Sequence, residues 1–243
     1  MTEKDLIIEP RRGRKEQLLP GRALMVVNPV DADLAAEVFL RSTGKTWEVA
    51  RPRIVVDGAR RLCVAGPALG APAAALLLEK LVVLGVTEIW LVSCCGSLDP
   101  SHAIGDLLIG TRAVSGEGVS RYYSEAEVVE PGSAATEELR EFAETRSMTA
   151  RSGTIWSTDA PYRERRSELL RLQERDGIVG VDMEFSALCT VASFRSVGLG
   201  ALFVVSDMLW TGSWKPGFGK AALKEANRNL IEKIIQYGLS KGA

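Results

Sequence analysis

The chain is poor in the nitrogen and sulfur side chains that hold metal ions. It has one histidine and four cysteines in 243 residues, and no two cysteines have the C-x-x-C spacing common in zinc sites. Cys63 and Cys189 lie within apolar segments, as small core residues do. We therefore expect no metal and no organic cofactor. We also expect free thiols, as in a reducing, cytoplasmic setting.

Long hydrophobic runs are also missing. The opening residues, MTEKDLIIEP, lack the apolar core of a signal peptide. The longest apolar stretch, 71–86, is interrupted by Glu79 and Lys80, which argues against a membrane span. We expect no membrane partner.

An excess of charge of either sign is absent as well. The net charge of -1 gives no reason to expect nucleic acid as a partner. One dense basic run remains, RRGRK at 11–15. It is either a solvated loop or, through Arg11, Arg12 and Arg14, a ligand for an anion.

What the sequence does contain is an alternation of apolar strands and helices. Strands are predicted at 24–27, 47–56, 61–65, 88–93, 107–115, 153–157, 177–182 and 201–207, and helices at 72–84, 135–149, 164–173, 184–197 and 220–238. Strand, helix and strand with short connections predict a sheet covered by helices. No linker or repeat divides the chain, so we expect an N-terminal segment, 1–22, and one α/β domain, 23–243.

Polar residues gather where the predicted strands end, which is where open α/β sheets bind ligands. These strand ends supply Asn28, Asp31, Ser93, Cys94, Cys95, Gly96, the segment 157–164, Asp182, Met183, Glu184, Ser206 and Asp207. Asp182 is also placed to be the N-cap of the next helix. For Glu184 and Asp207 a functional role is the better explanation.

Several motifs, in order over residues 24–236, resemble those of the nucleoside phosphorylase and uridine phosphorylase superfamily. They are LGAPAAALLLEKLVVLG at 69–85, LVSCCGSL at 91–98, IGDLLIG at 104–110, EGVS at 117–120, STDAPYRE at 157–164, VDMEFSAL at 181–188 and FVVSDM at 203–208. The resemblance implies a single three-layer α/β domain, with a mixed central sheet flanked by helices. It also implies an enzyme of nucleoside metabolism, such as purine salvage, that forms homo-oligomers, either dimers or hexamers.

The resemblance assigns roles to the two carboxylates. By it, Glu184 accepts hydrogen bonds from the 2′- and 3′-hydroxyls of ribose, and Met183 packs against the sugar. Asp207 follows a serine, Ser206, as in the purine-cleaving branches, where this aspartate protonates N7 of the leaving base. Tyr162 stacks near the base or sugar.

Further binding residues are implied less directly. Pro161 stands where the family usually has phenylalanine, and Arg163 or Glu164 could read the edges of the base. The small-residue loop after strand 88–93 adds Ser93, Cys94 and Gly96 as substrate-binding residues.

The phosphate site departs from the family pattern. Asp31 stands where one phosphate-binding arginine is expected, Leu91 stands where a second is expected, and Cys94 replaces a hydroxyl. His102, the single histidine, lies outside the family's N-terminal histidine motif, so a structural or solvent-exposed position is favoured over catalysis. Because phosphate is a dianion held mainly by arginine, these changes leave the acceptor open.

Three functions therefore remain. The first is phosphorolysis of a nucleoside, favoured for purines, with phosphate as co-substrate and with Arg11, Arg12 and Arg14 of the same chain or of a neighbouring one folded over the site. The second is hydrolysis, with a water near Asp31 or Asp33. The third is a non-catalytic protein that binds a nucleoside or nucleotide. A tryptophan-bearing segment, LWTGSWKPGF at 209–218, is interpreted as a flap or an interface.

Overall fold

The computed structural model describes residues 6–43, 46–49, 53–210 and 213–241, with only the backbone for 46–49. The strands are β1 (Arg22–Val26), β2 (Thr46–Val49), β3 (Arg53–Asp57), β4 (Cys63–Gly66), β5 (Glu88–Ser97), β6 (Leu107–Gly116), β7 (Val128–Val129), β8 (Ala150–Thr158), β9 (Ile178–Asp182), β10 (Gly198–Met208) and β11 (Lys215–Pro216). The helices are α1 (Pro29–Ser42), α2 (Ala71–Val83), α3 (Ser133–Thr145), α4 (Arg166–Asp176), α5 (Phe185–Phe194) and α6 (Ala221–Lys241).

The described strands form one mixed sheet. Its order is β11-β10-β6-β8-β9-β5-β1-β4-β3-β2, and β7 pairs with β6 at the side. Strand β10 also pairs with β5, so β5, β10, β6, β8 and β9 close into a ring. The neighbours of β1 run parallel to it, whereas β6 and β10, like β5 and β9, run antiparallel.

Two apolar cores lie on opposite faces of this sheet. One contains residues of α2 and α5, including Leu78, Leu81 and Phe185. The other contains residues of α1, α3 and α6, including Phe39 and Phe142. Helix, sheet and helix thus form three layers, which confirms the predicted α/β class.

Helix α1 was not predicted: the expected helices include none over 29–42, because Asn28-Pro29 after the first strand also fits a turn. The Asn28 side chain accepts a hydrogen bond from the backbone N–H of Val30 at 3.0 Å, and Pro29 occupies the first turn. An Asn cap followed by proline is a start signal for a helix. Asp31 therefore lies in the first turn of a helix, and the prediction that it belongs to a loop was wrong.

Strand β5 is longer than predicted. The sequence was interpreted as a loop from Cys94 onward, but the strand continues to Ser97. It continues because Gly96 and Ser97 pair with β9 on one side and with the end of β10 on the other. The predicted single strand 47–56 was also wrong, since β2 and β3 pair as separate antiparallel strands.

Strand β10 carries an irregularity that the sequence did not predict. Its register against β5 shifts between Val205 and Asp207, so Ser206 is an extra residue on this strand. A bulge of this kind re-aims the side chains that follow it. Both Ser206 and Asp207 consequently line the same cavity.

Candidate active site

One cavity of about 890 Å³ opens at the carboxyl ends of β1, β5, β9 and β10. It brings together the predicted site residues Glu184, Asp207, Met183, Ser93, Cys94, Gly96, Tyr162, Pro161 and Ser206. These residues are up to 114 positions apart in sequence, and the cavity forms because their strands end at one edge of the sheet. Its size falls within the roughly 300–1,000 Å³ of small-molecule sites.

Glu184 is a buried carboxyl on the cavity wall, with a residue exposure of 2%. Its Oε1 accepts a hydrogen bond of 2.6 Å from the backbone N–H of Gly70, which lies just before α2. Burial, and secondarily the charge of Asp182, raise the pKa of Glu184 to about 8. The carboxyl is therefore held in place and is easily protonated when the cavity is empty.

Asp182 fixes the backbone that carries Glu184. Its carboxylate accepts from the backbone N–H groups of Glu184 at 3.1 Å and Phe185 at 2.7 Å, and from the Ser157 hydroxyl at 2.5 Å. Asp182 thus accepts from the backbone at the start of α5, but the N-cap position of that helix is Glu184, so the predicted N-cap role of Asp182 was wrong by two residues. Burial raises the pKa of Asp182 to about 6 despite these donors. We call Gly70, Ser157, Asp182 and Glu184 the Glu184 group.

A buried polar network continues behind the Glu184 group. Glu117 accepts from the Ser186 hydroxyl at 3.0 Å and from the backbone N–H of Ser120 at 3.1 Å, and Ser186 N–H donates to Ser157 Oγ at 2.9 Å. Hydrogen bonds, first from the Ser120 hydroxyl and then from the backbone N–H of Val119, lower the pKa of Glu117 against the opposing effect of burial. The EGVS motif thus fixes α5 from within, and Glu117 is absent from the cavity wall.

Asp207 has both carboxylate oxygens engaged. Ser206 donates its hydroxyl to Oδ1 at 2.7 Å, and the indole N–H of Trp214 donates to Oδ2 at 2.8 Å. A Cβ on Gly96 would lie 2.9 Å from Oδ2. Any larger residue at position 96 would therefore clash with the Asp207 carboxylate in its present position. We call Ser206, Asp207 and Trp214 the Asp207 group.

The segment 161–164 forms another wall of the cavity. Pro161 and Tyr162 lie in a short 3₁₀ turn, and Tyr162 is 97% exposed. Glu164 follows and lines the cavity, whereas Arg163 is not among the lining residues. Burial, and secondarily the charge of Asp207, raise the pKa of Glu164 to about 7.

Asp31 lies behind Cys94 and is itself absent from the cavity wall. Asn227 of α6 donates to Asp31 Oδ1 at 3.0 Å, and the Cys94 thiol lies 3.8 Å from Asp31 Oδ2. Burial raises the pKa of Asp31, and burial with the neighbouring Asp31 raises the pKa of Cys94 to about 12. We call these three residues the Asp31 cluster; it pairs a carboxyl with neutral donors.

The N-terminal arginines lie away from this cavity within the single chain. Arg11, Arg12 and Arg14 are exposed, and Arg11 pairs with Glu9 at 2.9 Å. None of the three lines the cavity. Their assignment to phosphate stays a prediction. In the single chain they lie in solvent, as the solvated-loop interpretation of RRGRK expects.

The structure also gives the positions of the remaining histidine and cysteine residues that the sequence analysis discussed. His102 is buried, with its Nδ1 3.1 Å from the Ser97 hydroxyl, which is a structural position. Cys63 and Cys189 are buried in the core, as expected. Within the described part of the chain, no group of three or more His, Cys, Asp or Glu residues is arranged to hold a metal ion. No helix of that part is long and apolar enough to cross a membrane.

Three contributors to the site were missed by sequence reasoning. Trp214 was assigned only to a flap or interface, and its contact with Asp207 arises because β11 pairs with the end of β10. Asn227 comes from the last helix, 196 positions beyond its partner, and carried no local signal. The N–H of Gly70 could have been suspected from the glycine-rich GPALGAP turn before α2.

Comparison with known proteins gives a consistent family match. The model of the phosphorylase superfamily matches residues 21–236. A guanosine phosphorylase of Halorubrum lacusprofundi is 27% identical over 91% of this chain and 88% of its own length. A purine nucleoside phosphorylase of Clostridium novyi is 23% identical over 82% and 88%. The solved structure of purine nucleoside phosphorylase from Toxoplasma gondii in complex with immucillin-H superimposes with a TM-score of 0.79, at 22% identity, over 97% of both chains.

Proposed function

The chain belongs to the phosphorylase superfamily, and from this membership we propose that it is an enzyme that cleaves the N-glycosidic bond of a purine nucleoside. The observation that carries the proposal is the single cavity lined by Glu184 and Asp207. Cleavage of this bond is helped by stabilisation of positive charge on the sugar and by protonation of the departing base. Glu184 is assigned to the first task and Asp207 to the second.

Glu184 acts on the sugar. As the bond breaks, the pentose becomes oxocarbenium-like and positive. A carboxylate fixed by the Gly70 N–H can accept from sugar hydroxyls and stabilise that charge without reorganising. The developing charge also favours the ionised form of a group that burial otherwise keeps easily protonated.

Asp207 acts on the base. A purine leaves more readily when N7 is protonated, and a positioned carboxylic acid can donate that proton, an effect typically worth ~10²–10⁴-fold. Ser206 and Trp214 hold the two oxygens of Asp207, so its orientation is fixed. Two relatives, named guanosine phosphorylase and purine nucleoside phosphorylase, also support a purine.

Two oxygen nucleophiles can receive the pentose. The relatives are named phosphorylases, which supports phosphate. The charge around the cavity supports water, because Arg166 is the one cationic side chain among the described lining residues. Behind Cys94 the Asp31 cluster places a buried carboxyl and two neutral groups, and a phosphate dianion bound beside Cys94 would need cations instead. On this geometry we expect water to be the acceptor.

The experiment is to incubate the protein with inosine, guanosine, adenosine and uridine, each with and without phosphate, and to measure free base and sugar product. We expect base from purine nucleosides at a rate that phosphate does not raise. A rate proportional to phosphate, with pentose 1-phosphate as product, assigns phosphorolysis instead. Tight nucleoside binding without base release overturns catalysis and leaves the non-catalytic function.

A further inference from the structure

Glu117 is a buried carboxyl that the proposed chemistry does not use. Its residue exposure is 8%, and it directly follows β6. An ionised carboxyl in the interior is unfavourable unless donors replace the water that it has lost. Its two oxygens accept from the hydroxyls of Ser115, Ser120 and Ser186 and from the backbone N–H groups of Val119 and Ser120. The positions of these donors indicate what the carboxyl holds in place.

Only one of these donors is distant in sequence. Ser115, Val119 and Ser120 lie within three residues of Glu117, so their contacts shape the turn that follows β6. Ser186 is 69 positions away, in the first turn of α5 and two residues after Glu184. This contact therefore connects the turn to the helix that begins beside the sugar-side carboxyl.

A second contact joins the same two segments. The Thr190 hydroxyl, one turn further along α5, lies 3.2 Å from the Ser120 hydroxyl, which itself donates to Glu117. The side chains of Ser120, Ser186 and Thr190 are buried. Glu117 thus anchors α5 at two successive turns.

A path of hydrogen bonds leads from Ser186 to the backbone of Glu184. The N–H of Ser186 donates to Ser157 Oγ at 2.9 Å, and the Ser157 hydroxyl donates to Asp182 Oδ1 at 2.5 Å. Asp182 Oδ2 accepts from the N–H of Glu184 at 3.1 Å. Because Glu117 holds the hydroxyl of the same Ser186, it acts on the strand-to-helix junction that carries Glu184.

We propose that Glu117 is a positioning residue for Glu184: by holding Ser186 it fixes the first turn of α5, and so the direction in which the Glu184 carboxyl meets the pentose. The inference rests on the proposed function, since it requires Glu184 to act on the sugar. The donors of the Asp207 group come from other segments, so loss of the Glu117 anchor should affect the sugar and spare the base. A misplacement of about 1 Å can cost ~10²-fold in rate.

A matched pair of serine variants tests this role. Ser115→Ala and Ser186→Ala each remove one hydroxyl that donates to Glu117 Oε1 at 3.0 Å, but Ser115 lies on β6 and Ser186 on α5. We expect Ser186→Ala to lower kcat for inosine ~10- to 100-fold and Ser115→Ala to stay within about twofold of wild type. Circular dichroism and the thermal midpoint show that each variant is folded. Equal values of kcat in the two variants overturn the proposal.

A double-mutant cycle separates positioning from general damage to the fold. If Glu117 acts through Glu184, Glu117→Gln should lower kcat ~10- to 100-fold in the wild-type background. In the Glu184→Gln background it should lower kcat by no more than about twofold, because no carboxylate is left to position. A loss of the same size in both backgrounds overturns the proposal while the proposed function stands. Ser186→Ala takes the place of Glu117→Gln in this cycle if the latter does not fold.

Nucleoside binding separates failure of this inference from failure of the proposed function. If wild type cleaves no nucleoside, the proposed function is overturned, and calorimetric titration then decides the role of Glu117. Inosine should bind ~10-fold more weakly to Ser186→Ala than to wild type. The analogue 2′,3′-dideoxyinosine lacks both hydroxyls that Glu184 can accept from, so it should bind the two proteins about equally. No loss for inosine, or an equal loss for the two nucleosides, overturns the inference.

Discussion

The Glu184 group and the Asp207 group face the same cavity but are held in different ways. Glu184 is fixed by the Gly70 N–H and by buried Asp182, whose carboxylate accepts from the backbone N–H groups of Glu184 and Phe185. Asp207 depends at one oxygen on Trp214, whose residue is 58% exposed and lies in the segment that leads to the short strand β11. The Glu184 carboxyl is therefore held by buried and half-buried groups, whereas one oxygen of Asp207 is held by an exposed side chain.

The difference teaches where this site can vary. Backbone donors at a strand-to-helix junction cannot be moved without disturbing the sheet, so the Glu184 group is preorganised. Exposed segments with few buried contacts open and close at low free energy. The half of the site that Trp214 completes is therefore the half that can change while the fold is kept.

The largest expected effect separates the two groups by chemistry. Asp207→Asn should lower kcat for inosine ~10²–10⁴-fold because it removes the proton donor, yet should leave much of the activity on 7-methylinosine, whose N7 is already alkylated and positive. Glu184→Gln should lower kcat for both nucleosides by at least ~10²-fold, since the sugar needs its carboxylate in either case. Steady-state kinetics with both substrates measures this contrast.

Equal losses on inosine and 7-methylinosine in Asp207→Asn would remove the role of Asp207 as proton donor. The circular dichroism and thermal midpoint of each variant, compared with wild type, serve as the folding control. A wild-type kcat in Glu184→Gln would contradict the proposal that Glu184 acts on the sugar while Asp207 acts on the base.

An intermediate effect is expected from the surface contact. Trp214→Phe keeps an aromatic ring but removes the N–H that donates to Asp207, and a hydrogen bond to a charged group is worth ~1.5–3 kcal/mol. We expect kcat for inosine to fall about 10- to 100-fold, with a much smaller change for 7-methylinosine. Trp210→Phe is the matched control, because Trp210 lines the cavity without a hydrogen bond to Asp207. Similar losses in both variants would indicate a general effect of the segment.

The smallest expected effect concerns stability. The pKa of Glu184 is raised from 4.5 to about 8 in the folded chain, so folding favours its protonated form. The contribution of this group to stability is therefore present below about pH 4.5 and is lost as pH rises through about 8. Glu184→Gln, which cannot ionise, should be no more stable than wild type near pH 5 and should melt a few degrees above it at pH 8.

Differential scanning calorimetry at several values between pH 5 and pH 8.5 measures this difference. Glu174→Gln provides the baseline for a surface carboxyl. If the difference in melting temperature between Glu184→Gln and wild type stays constant over this pH range, ionisation of the buried Glu184 carboxyl does not destabilise the folded chain.

Much of the fold followed from sequence patterns, and the failures have physical causes. Buried strands such as β10 and the helix α6 have apolar residues at the expected spacing, and both were predicted. Helix α1 was missed because Pro29 was interpreted as part of a turn. The end of β5 was missed because Cys94–Ser97 are small residues whose strand character depends on pairing with β9 and β10.

The candidate site divides in the same way. The residues that surround Glu184 and Asp207 stand in contiguous motifs, and family resemblance located them on one cavity. Trp214 and Asn227 reach their partners across a strand pairing and a helix packing. Propensity and periodicity describe neighbours along the chain, so contacts of that kind carry no local signal.

By itself the sequence determined the alternation of strands and helices, the membership of the chain in its superfamily and the two acids at the ends of late strands. Tertiary structure alone decided which donors hold those acids and that Asp31 meets neutral partners. The physical reason is that burial and hydrogen bonding depend on which strand ends come together. That adjacency is set by the closed ring of β5, β10, β6, β8 and β9.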